Sequence, residues 1–99
     1  MSFLISVKVP GDVAAFKKAL AERADEFRAI ADKAKAGGAL HHRFGFGDGY
    51  VHAIDEWETV EGFEAFFAEP SMQEFIGSVG GQGAPDILVS EATSSPDQF

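Results

Sequence analysis

A pair of alternating segments joined by Asp48-Gly49 constrains the fold of this chain more than any other feature. Residues 40–47 and 50–57 each place two kinds of side chain in alternation, which is typical of half-buried strands. An Asp-Gly pair between two such segments predicts a two-residue hairpin turn. A three-residue turn would turn one strand over and mix polar with apolar side chains on both faces, so we predict the two-residue register.

The first third of the chain predicts a strand followed by a long helix. Residues 3–9 alternate and indicate the strand. Asp12 is a suitable N-cap, and apolar side chains then recur at helical spacing from residue 13 to residue 34. Gly37-Gly38 ends this helix, because a left-handed conformation is favoured there. We expect Arg28 and most other charged side chains on the helix face that points away from the core.

The last part of the chain predicts a second helix and a final strand. Thr59 caps a helix that carries several phenylalanines, and Pro70 interrupts it. Residues 71–74, with the sequence Ser-Met-Gln-Glu, have the pattern of a capping box and predict that the helix restarts there. Residues 86–92 form the last predicted strand.

The element order βαββαβ predicts a single α+β domain. Right-handed crossovers place four antiparallel strands in one sheet with both helices on one face, which is a ferredoxin-like fold. We expect residues 1–93 to form this domain and residues 94–99 to form a mobile tail. Leu4, Ile54 and Leu88 belong to the sheet face without helices, so we expect a homodimer in which two such faces pack together.

Charge and composition exclude several classes of partner. The chain has 99 residues and a net charge of −8, and residues 50–99 contain many acids but no Lys or Arg. Phosphate contacts need Lys or Arg, so nucleic acid and anionic membranes are not expected as partners. The absence of cysteine excludes disulfides and thiolate metal sites. No apolar segment is long enough to span a membrane and the first residues lack a signal-peptide pattern, so we expect a cytoplasmic protein.

Polar side chains on one face of the hairpin form the predicted catalytic group. In the two-residue register His41 faces Glu56, and Arg43 and His52 lie on the same face. A histidine beside a carboxylate suits general-base catalysis, and an arginine can hold the resulting oxyanion. Tyr50 shares this face and is predicted to contact the substrate. A solvated or dimer-interface surface is the plainer interpretation of the same residues.

The opposite face of the hairpin holds a competing site. It presents His42, Asp55 and Trp57 among apolar side chains, and Phe67 on the second helix can join them in the wall of an aromatic-ligand cavity. We therefore predict His42, Trp57 and Phe67 as substrate-binding residues, although a core role would also explain them. At most two of the three histidines share a face in this register, so no metal site is predicted.

The third strand and second helix resemble a known family in Tyr50–Trp57, Thr59, Phe63, Phe67 and Glu69-Pro70. A hydrophobic strand that ends in an acid and an aromatic, followed by a Ser/Thr-capped helix broken near a proline, is similar to antibiotic biosynthesis monooxygenase (ABM)-like domains of the dimeric α+β barrel superfamily. The resemblance implies a homodimer with a ligand pocket in each protomer. Some members oxidise phenolic or polyketide substrates with O2 and no cofactor, others degrade haem, and many have no known activity.

The haem-degrading branch of that superfamily does not fit this chain. The tryptophan that it needs at the end of the third strand is present as Trp57. Its histidine iron ligand falls at Ile76 and its first-strand asparagine falls at Val7, and the chain contains no asparagine. Isoleucine cannot replace imidazole as an iron ligand, so the sequence excludes this branch.

The resemblance therefore implies a small ABM-like monooxygenase that acts on an aromatic or polyketide-like substrate without metal, flavin or any other cofactor. A histidine would act as the base and Arg43 would stabilise the anion. The alternative is a non-catalytic, dimeric small-molecule-binding protein of the same fold that uses the same aromatic cavity.

Overall fold

A computed structural model describes residues 1–99 and contains one four-stranded sheet and four helices. The elements are, in chain order, β1 Phe3–Pro10, α1 Val13–Glu22, α2 Ala24–Ala36, β2 Ala39–Gly47, β3 Tyr50–Trp57, α3 Val60–Phe67, α4 Pro70–Ser78 and β4 Asp86–Glu91. The strands lie in the order β2-β3-β1-β4, and every neighbouring pair is antiparallel. The predicted ferredoxin-like α+β fold is thereby confirmed.

The Asp48-Gly49 turn sets the register of the β2-β3 hairpin. Gly49 has a φ of +78°, a conformation that this turn requires and that glycine adopts without strain. Gly47 pairs with Tyr50 and His41 pairs with Glu56, so the predicted register is confirmed. The pairing shifts by one residue just before His41, and the alternation along β2 is regular from there to the turn.

The two faces of the sheet differ in what covers them. The helices cover one face, and the buried residues of β1 and β3 all point toward it. The opposite face, called the open face below, carries Leu4, Ile54 and Leu88, which are 47%, 47% and 67% exposed. The apolar open face expected from the alternation of the strands is therefore present.

The long helix predicted after β1 is two helices, which corrects that prediction. The chain leaves the helical conformation at Arg23, where φ is −121° and ψ is 33°. No glycine or proline marks this position, so the sequence pattern gives no sign of the break. The Arg23 side chain donates to Ser78 Oγ at 2.9 Å and pairs with Glu26, which ties the break to the end of α4. The helix break therefore coincides with a contact between distant parts of the chain.

The ion pair at this break shifts the pKa values of both partners. The hydrogen bond from Arg23 lowers the pKa of the Glu26 carboxyl and raises the pKa of Arg23. Because the pKa of Glu26 is lowered on folding, the pair stabilises the fold above the ordinary carboxyl pKa and stops doing so as the pH falls through the lowered value. Both groups face solvent, so the contribution is small.

The predicted helix starts are confirmed at two positions and wrong at a third. Asp12 Oδ1 accepts a hydrogen bond from the Ala15 amide at 3.1 Å, and Thr59 Oγ1 accepts one from the Gly62 amide at 3.0 Å. The capping box predicted at residues 71–74 does not form, because α4 already begins at Pro70 without a side-chain cap. Proline is well suited to the first helical position, since its φ is already helical and it needs no amide partner there.

The core beneath the helices consists of two separate hydrophobic clusters. The first contains Ile5, Val7, Trp57 and Phe63, and the second contains Phe16, Ala19 and Val79. A domain usually has one contiguous core. The helices and the sheet therefore do not pack into one continuous core.

The chain beyond β4 adds no helix or strand. The Ala92 amide donates to the Ser2 carbonyl at 2.9 Å, and residues 92–99 then continue without a regular element. The mobility of residues 94–99 stays a prediction. None of the four helices has the length and apolar character needed to cross a membrane.

Two helical glycines provide a test of how α3 packs. A Cβ at residue 62 would lie 2.5 Å from the Gly37 carbonyl oxygen, whereas a Cβ at residue 77 would meet no atom within 4 Å. We expect Gly62→Ala to lower the free energy of unfolding by about 1–3 kcal/mol and the control Gly77→Ala to raise it by up to about 1 kcal/mol. Urea denaturation measures both changes, and equal midpoints for the two variants would contradict this packing.

Candidate functional site

A cavity of about 410 Å³ lies between the sheet and the helices. Val7, Val51 and Ala53 contribute to its floor on the helix-covered face of the sheet, and all four helices contribute to its walls. Phe63 from the first core cluster and Phe16 from the second both line it. The cavity therefore separates the two clusters, and its volume falls in the range of small-molecule sites, roughly 300–1,000 Å³.

A row of aromatic rings forms one wall of this cavity. The rings pack edge to face in the order Phe75, Phe27, Phe16, Phe44 and His42, with centroid distances of 5.0, 6.0, 5.1 and 4.5 Å. All five side chains line the cavity. Rings in this arrangement offer a large apolar surface that loses little conformational entropy when a planar ligand packs against it.

A chain of hydrogen bonds connects His42 to the buried core. His42 on β2 lies opposite Asp55 on β3, and its Nδ1 donates to Asp55 Oδ1 at 2.6 Å. Trp57, two residues further along β3 and on the same face, donates from Nε1 to Asp55 Oδ2 at 3.1 Å. Asp55 and Trp57 are buried, whereas the His42 side chain is 42% exposed. The carboxylate is therefore satisfied on both oxygens.

This arrangement fixes the tautomer of His42. A carboxylate can only accept hydrogen bonds, so the ring proton of neutral His42 must lie on Nδ1. Nε2 then carries the free lone pair. Because the imidazole lines the cavity, it can serve as a proton acceptor for a bound molecule. The competing site predicted from the sequence is thus the one that the structure associates with a cavity.

The predicted substrate-binding residues do not all lie in one place. His42 and Phe67 line the cavity. Trp57 is fully buried and packs against Phe63 and Phe66, which line the cavity, at centroid distances of 5.7 and 5.4 Å. Tyr50 lies on the open face, where Lys8 Nζ sits 4.4 Å from its ring centroid.

The predicted catalytic residues His41, Arg43, His52 and Glu56 occupy the open face rather than the cavity floor. His41 faces Glu56 as predicted, but the two make no hydrogen bond; Glu56 Oε2 accepts from Ser2 Oγ at 2.5 Å. His52 Nε2 shares a hydrogen bond of 2.6 Å with Ser6 Oγ. His41 is the only member of this group that also lines the cavity. The strand alternation that groups these residues thus separates most of them from it.

Two cationic side chains on α2 were not predicted as site residues. Arg28 and Lys35 line the cavity. The Arg28 side chain is nevertheless 73% exposed, in agreement with the expectation that it points away from the core. The signal was present in their spacing of seven residues, which places both on one side of a helix. The acids around Arg28 in the sequence hide this pattern.

The ionisable side chains do not gather into a metal-binding cluster. No three His, Asp or Glu side chains come together in a group that could hold a metal ion. Val7 and Ile76, the positions that the resemblance assigns to the asparagine and histidine of the haem-degrading branch, both line the cavity as apolar side chains.

Solved structures with the same fold provide the comparison with known proteins. No protein-family profile matches the sequence, and no curated protein matches it significantly. SnoaB of Streptomyces nogalater, a cofactor-independent oxygenase, is 16% identical with a TM-score of 0.60, over 98% of this chain and 96% of that one. The ActVA-Orf6 monooxygenase of Streptomyces coelicolor, solved with the ligand Nanaomycin D, is 18% identical with a TM-score of 0.62, over 99% and 93%.

The similarity is not restricted to proteins of known activity. NE2512 of Nitrosomonas europaea, a protein of unknown function, is 15% identical with a TM-score of 0.63, over 99% of this chain and 95% of that one. Together these structures show that the chain shares its fold with antibiotic biosynthesis monooxygenases. The fold implied by the sequence resemblance is thus confirmed.

Substitutions of Asp55 test whether its two hydrogen bonds support the fold. Asp55→Leu leaves the buried Trp57 N–H without an acceptor, and we expect it to lower the free energy of unfolding by about 2–3 kcal/mol. Asp55→Asn keeps an acceptor for Trp57, and we expect a loss below about 1 kcal/mol. Urea denaturation followed by Trp57 fluorescence measures both, and a Leu variant as stable as the Asn variant would refute the arrangement.

Proposed function

We propose that this chain is a monooxygenase that oxidises a planar aromatic or polyketide-like substrate with O2, without metal or flavin, and that His42 is its base. The observation that carries the proposal is the Trp57–Asp55–His42 hydrogen-bond chain, which ends at an apolar cavity of about 410 Å³. The oxygenase fold shared with SnoaB and ActVA-Orf6 supports the reaction class.

The first step is removal of a proton from the substrate. Nε2 of His42 takes a proton from a phenolic O–H or from a carbon that a neighbouring carbonyl acidifies. The resulting imidazolium stays paired with Asp55, and its charge compensates the anion that forms on the substrate. Because the surrounding cavity wall is apolar, this attraction is screened less than it would be in water.

The substrate anion supplies the electrons for the second step. For an activated CH2 group, the carbanion transfers electrons to O2, a C–O bond forms, and His42 returns its proton to give a hydroperoxide. Loss of the remaining C–H proton then breaks the O–O bond, which leaves a carbonyl group and one molecule of water. One oxygen atom enters the product and the other enters water, so the substrate alone reduces O2 and no external reductant is required.

Anthrone is a suitable probe of this reaction because it is planar, tricyclic and has an acidic CH2 group. We expect the protein to convert anthrone and O2 to anthraquinone and water, with one labelled atom incorporated from 18O2. His42→Gln should lower the rate at least about 100-fold, because it removes the base. Asp55→Asn should have a similar effect, because its amide would donate to Nδ1 and move the ring proton onto Nε2.

His52→Gln is the matched control for this experiment, because it changes the same residue type on the open face. It should retain the wild-type rate. If His52→Gln lowers the rate and His42→Gln leaves it unchanged, the chemistry belongs to the open face instead. Anthrone and a panel of naphthols could bind, and so change Trp57 fluorescence, without any O2 consumption. That result would make the protein a non-catalytic small-molecule-binding protein.

We also propose that two copies of the chain pair through their open faces. The apolar side chains Leu4, Ile54 and Leu88 on this face are 47–67% exposed, and burying such a surface against a second copy is favourable. A two-fold axis would place the same patch on both sides of the interface. The active cavity lies on the other side of the sheet, so pairing leaves the proposed chemistry intact.

Sedimentation velocity at micromolar concentration tests the pairing. The wild-type chain should sediment as a dimer and Ile54→Glu as a monomer, because the variant would bury a carboxylate without a partner. Ala29→Glu introduces the same charge at an exposed position on α2 and should leave the dimer intact. A wild-type monomer would refute the proposal.

A further inference from the structure

The charged side chains that α2 contributes to the cavity lining are both cations. Arg28, Ala31 and Lys35 lie along one stripe of this helix, and all three line the cavity. Seven residues separate the two cations, which is about 10 Å along a helix axis. The small side chain of Ala31 lies between them. Both cations have long, flexible side chains, so both can reach one polar group of a ligand that lies beside Ala31.

The acidic side chains of α2 lie outside the cavity lining. The helix also carries Asp25, Glu26, Asp32 and Lys33, and none of these side chains lines the cavity. Among all lining residues the only carboxylate is Asp55, and both of its oxygens already accept hydrogen bonds. A chain with a net charge of −8 thus presents a locally cationic surface at this cavity.

Both cations are available to a ligand. Lys35 takes part in no ion pair in the structure, in contrast to Lys33, which pairs with Glu69 at 3.6 Å. Arg28 pairs with Asp25 at 2.8 Å, but their side chains are 73% and 100% exposed. Such an exposed pair contributes little, so the carboxylate of a ligand can compete for the guanidinium.

From this arrangement we infer that the ligand of the cavity carries a carboxylate, which Arg28 and Lys35 bind beside Ala31 while the aromatic part enters the cavity. The inference deepens the proposed function, since it rests on an aromatic ligand in the same cavity and narrows the substrate class to aromatic acids. An anion held on α2 fixes one end of the molecule. That restricts which ring atoms can reach His42 Nε2.

A pair of ligands that differ only in charge tests the inference without requiring turnover. 2-Naphthoate and its neutral amide, 2-naphthamide, have the same ring system, and isothermal titration calorimetry gives their dissociation constants. We expect the wild-type protein to bind naphthoate at least about tenfold more tightly than naphthamide. Two charge-assisted contacts at a partly exposed site justify a preference of this size.

The variants identify which cations produce the preference. Arg28→Gln and Lys35→Gln should each weaken naphthoate binding about threefold, and the double variant should remove the preference while its affinity for naphthamide stays unchanged. Lys33→Gln on the same helix makes the same change of charge outside the cavity and should keep the preference. Circular dichroism verifies that each variant is folded, as expected for exposed positions.

Three results would overturn the inference. They are equal affinity of the wild-type protein for the two ligands, a preference that survives in the double variant, and failure of naphthoate to bind at millimolar concentration. Equal and measurable affinities would leave the proposed oxygenation standing. The protein could also prefer naphthoate through Arg28 and Lys35 and yet never consume O2. In that case the inference would stand and the proposed oxygenation would fail, because the aromatic acid would be a bound ligand and not a substrate.

Discussion

The buried carboxylate of Asp55 is the constraint on which the rest of the site depends. Burial of an ionised group is costly unless hydrogen bonds satisfy it, and Asp55 obtains its two donors from Trp57 and His42. Trp57 is itself fully buried and belongs to the first core cluster, so the carboxylate is hydrogen-bonded to the hydrophobic core. The register of the hairpin then brings His42 opposite it. One buried charge therefore links core packing to the orientation of an imidazole at a ligand cavity.

The divided core is the structural cost of that cavity. Side chains around a cavity lose contacts that a filled core would provide, so a domain of this size loses stability by keeping one. Edge-to-face contacts between Phe16, Phe27, Phe44 and Phe75 hold the wall together without filling the space. A ligand that bridges the two clusters would restore the missing contacts and stabilise the fold. Ligand binding and fold stability are thereby coupled.

Local signals in the sequence predicted most of the fold, and distant contacts account for what they missed. Asp48-Gly49 determines the hairpin register because the turn allows few alternatives. At the unpredicted helix break Arg23 contacts Ser78, which lies 55 residues away, and no local pattern encodes such a contact. Alternation likewise shows which side chains share a face, but both faces of the hairpin carry histidines. Only the packing of the helices, which creates the cavity, distinguishes His42 from the histidines of the open face.

Charge acts on an anionic ligand of the cavity differently at long range and at contact. The acids of the second half of the chain give the protein its net charge of −8, which at long range repels an anionic ligand. At physiological ionic strength such forces are screened beyond about 8 Å, whereas contact with Arg28 and Lys35 acts at shorter range. Affinity for an anion would thus arise only after the aromatic part has entered the cavity. Apolar burial would supply most of the binding and the two cations would select among ligands of similar shape, which is the division of roles expected for exposed charges beside an apolar site.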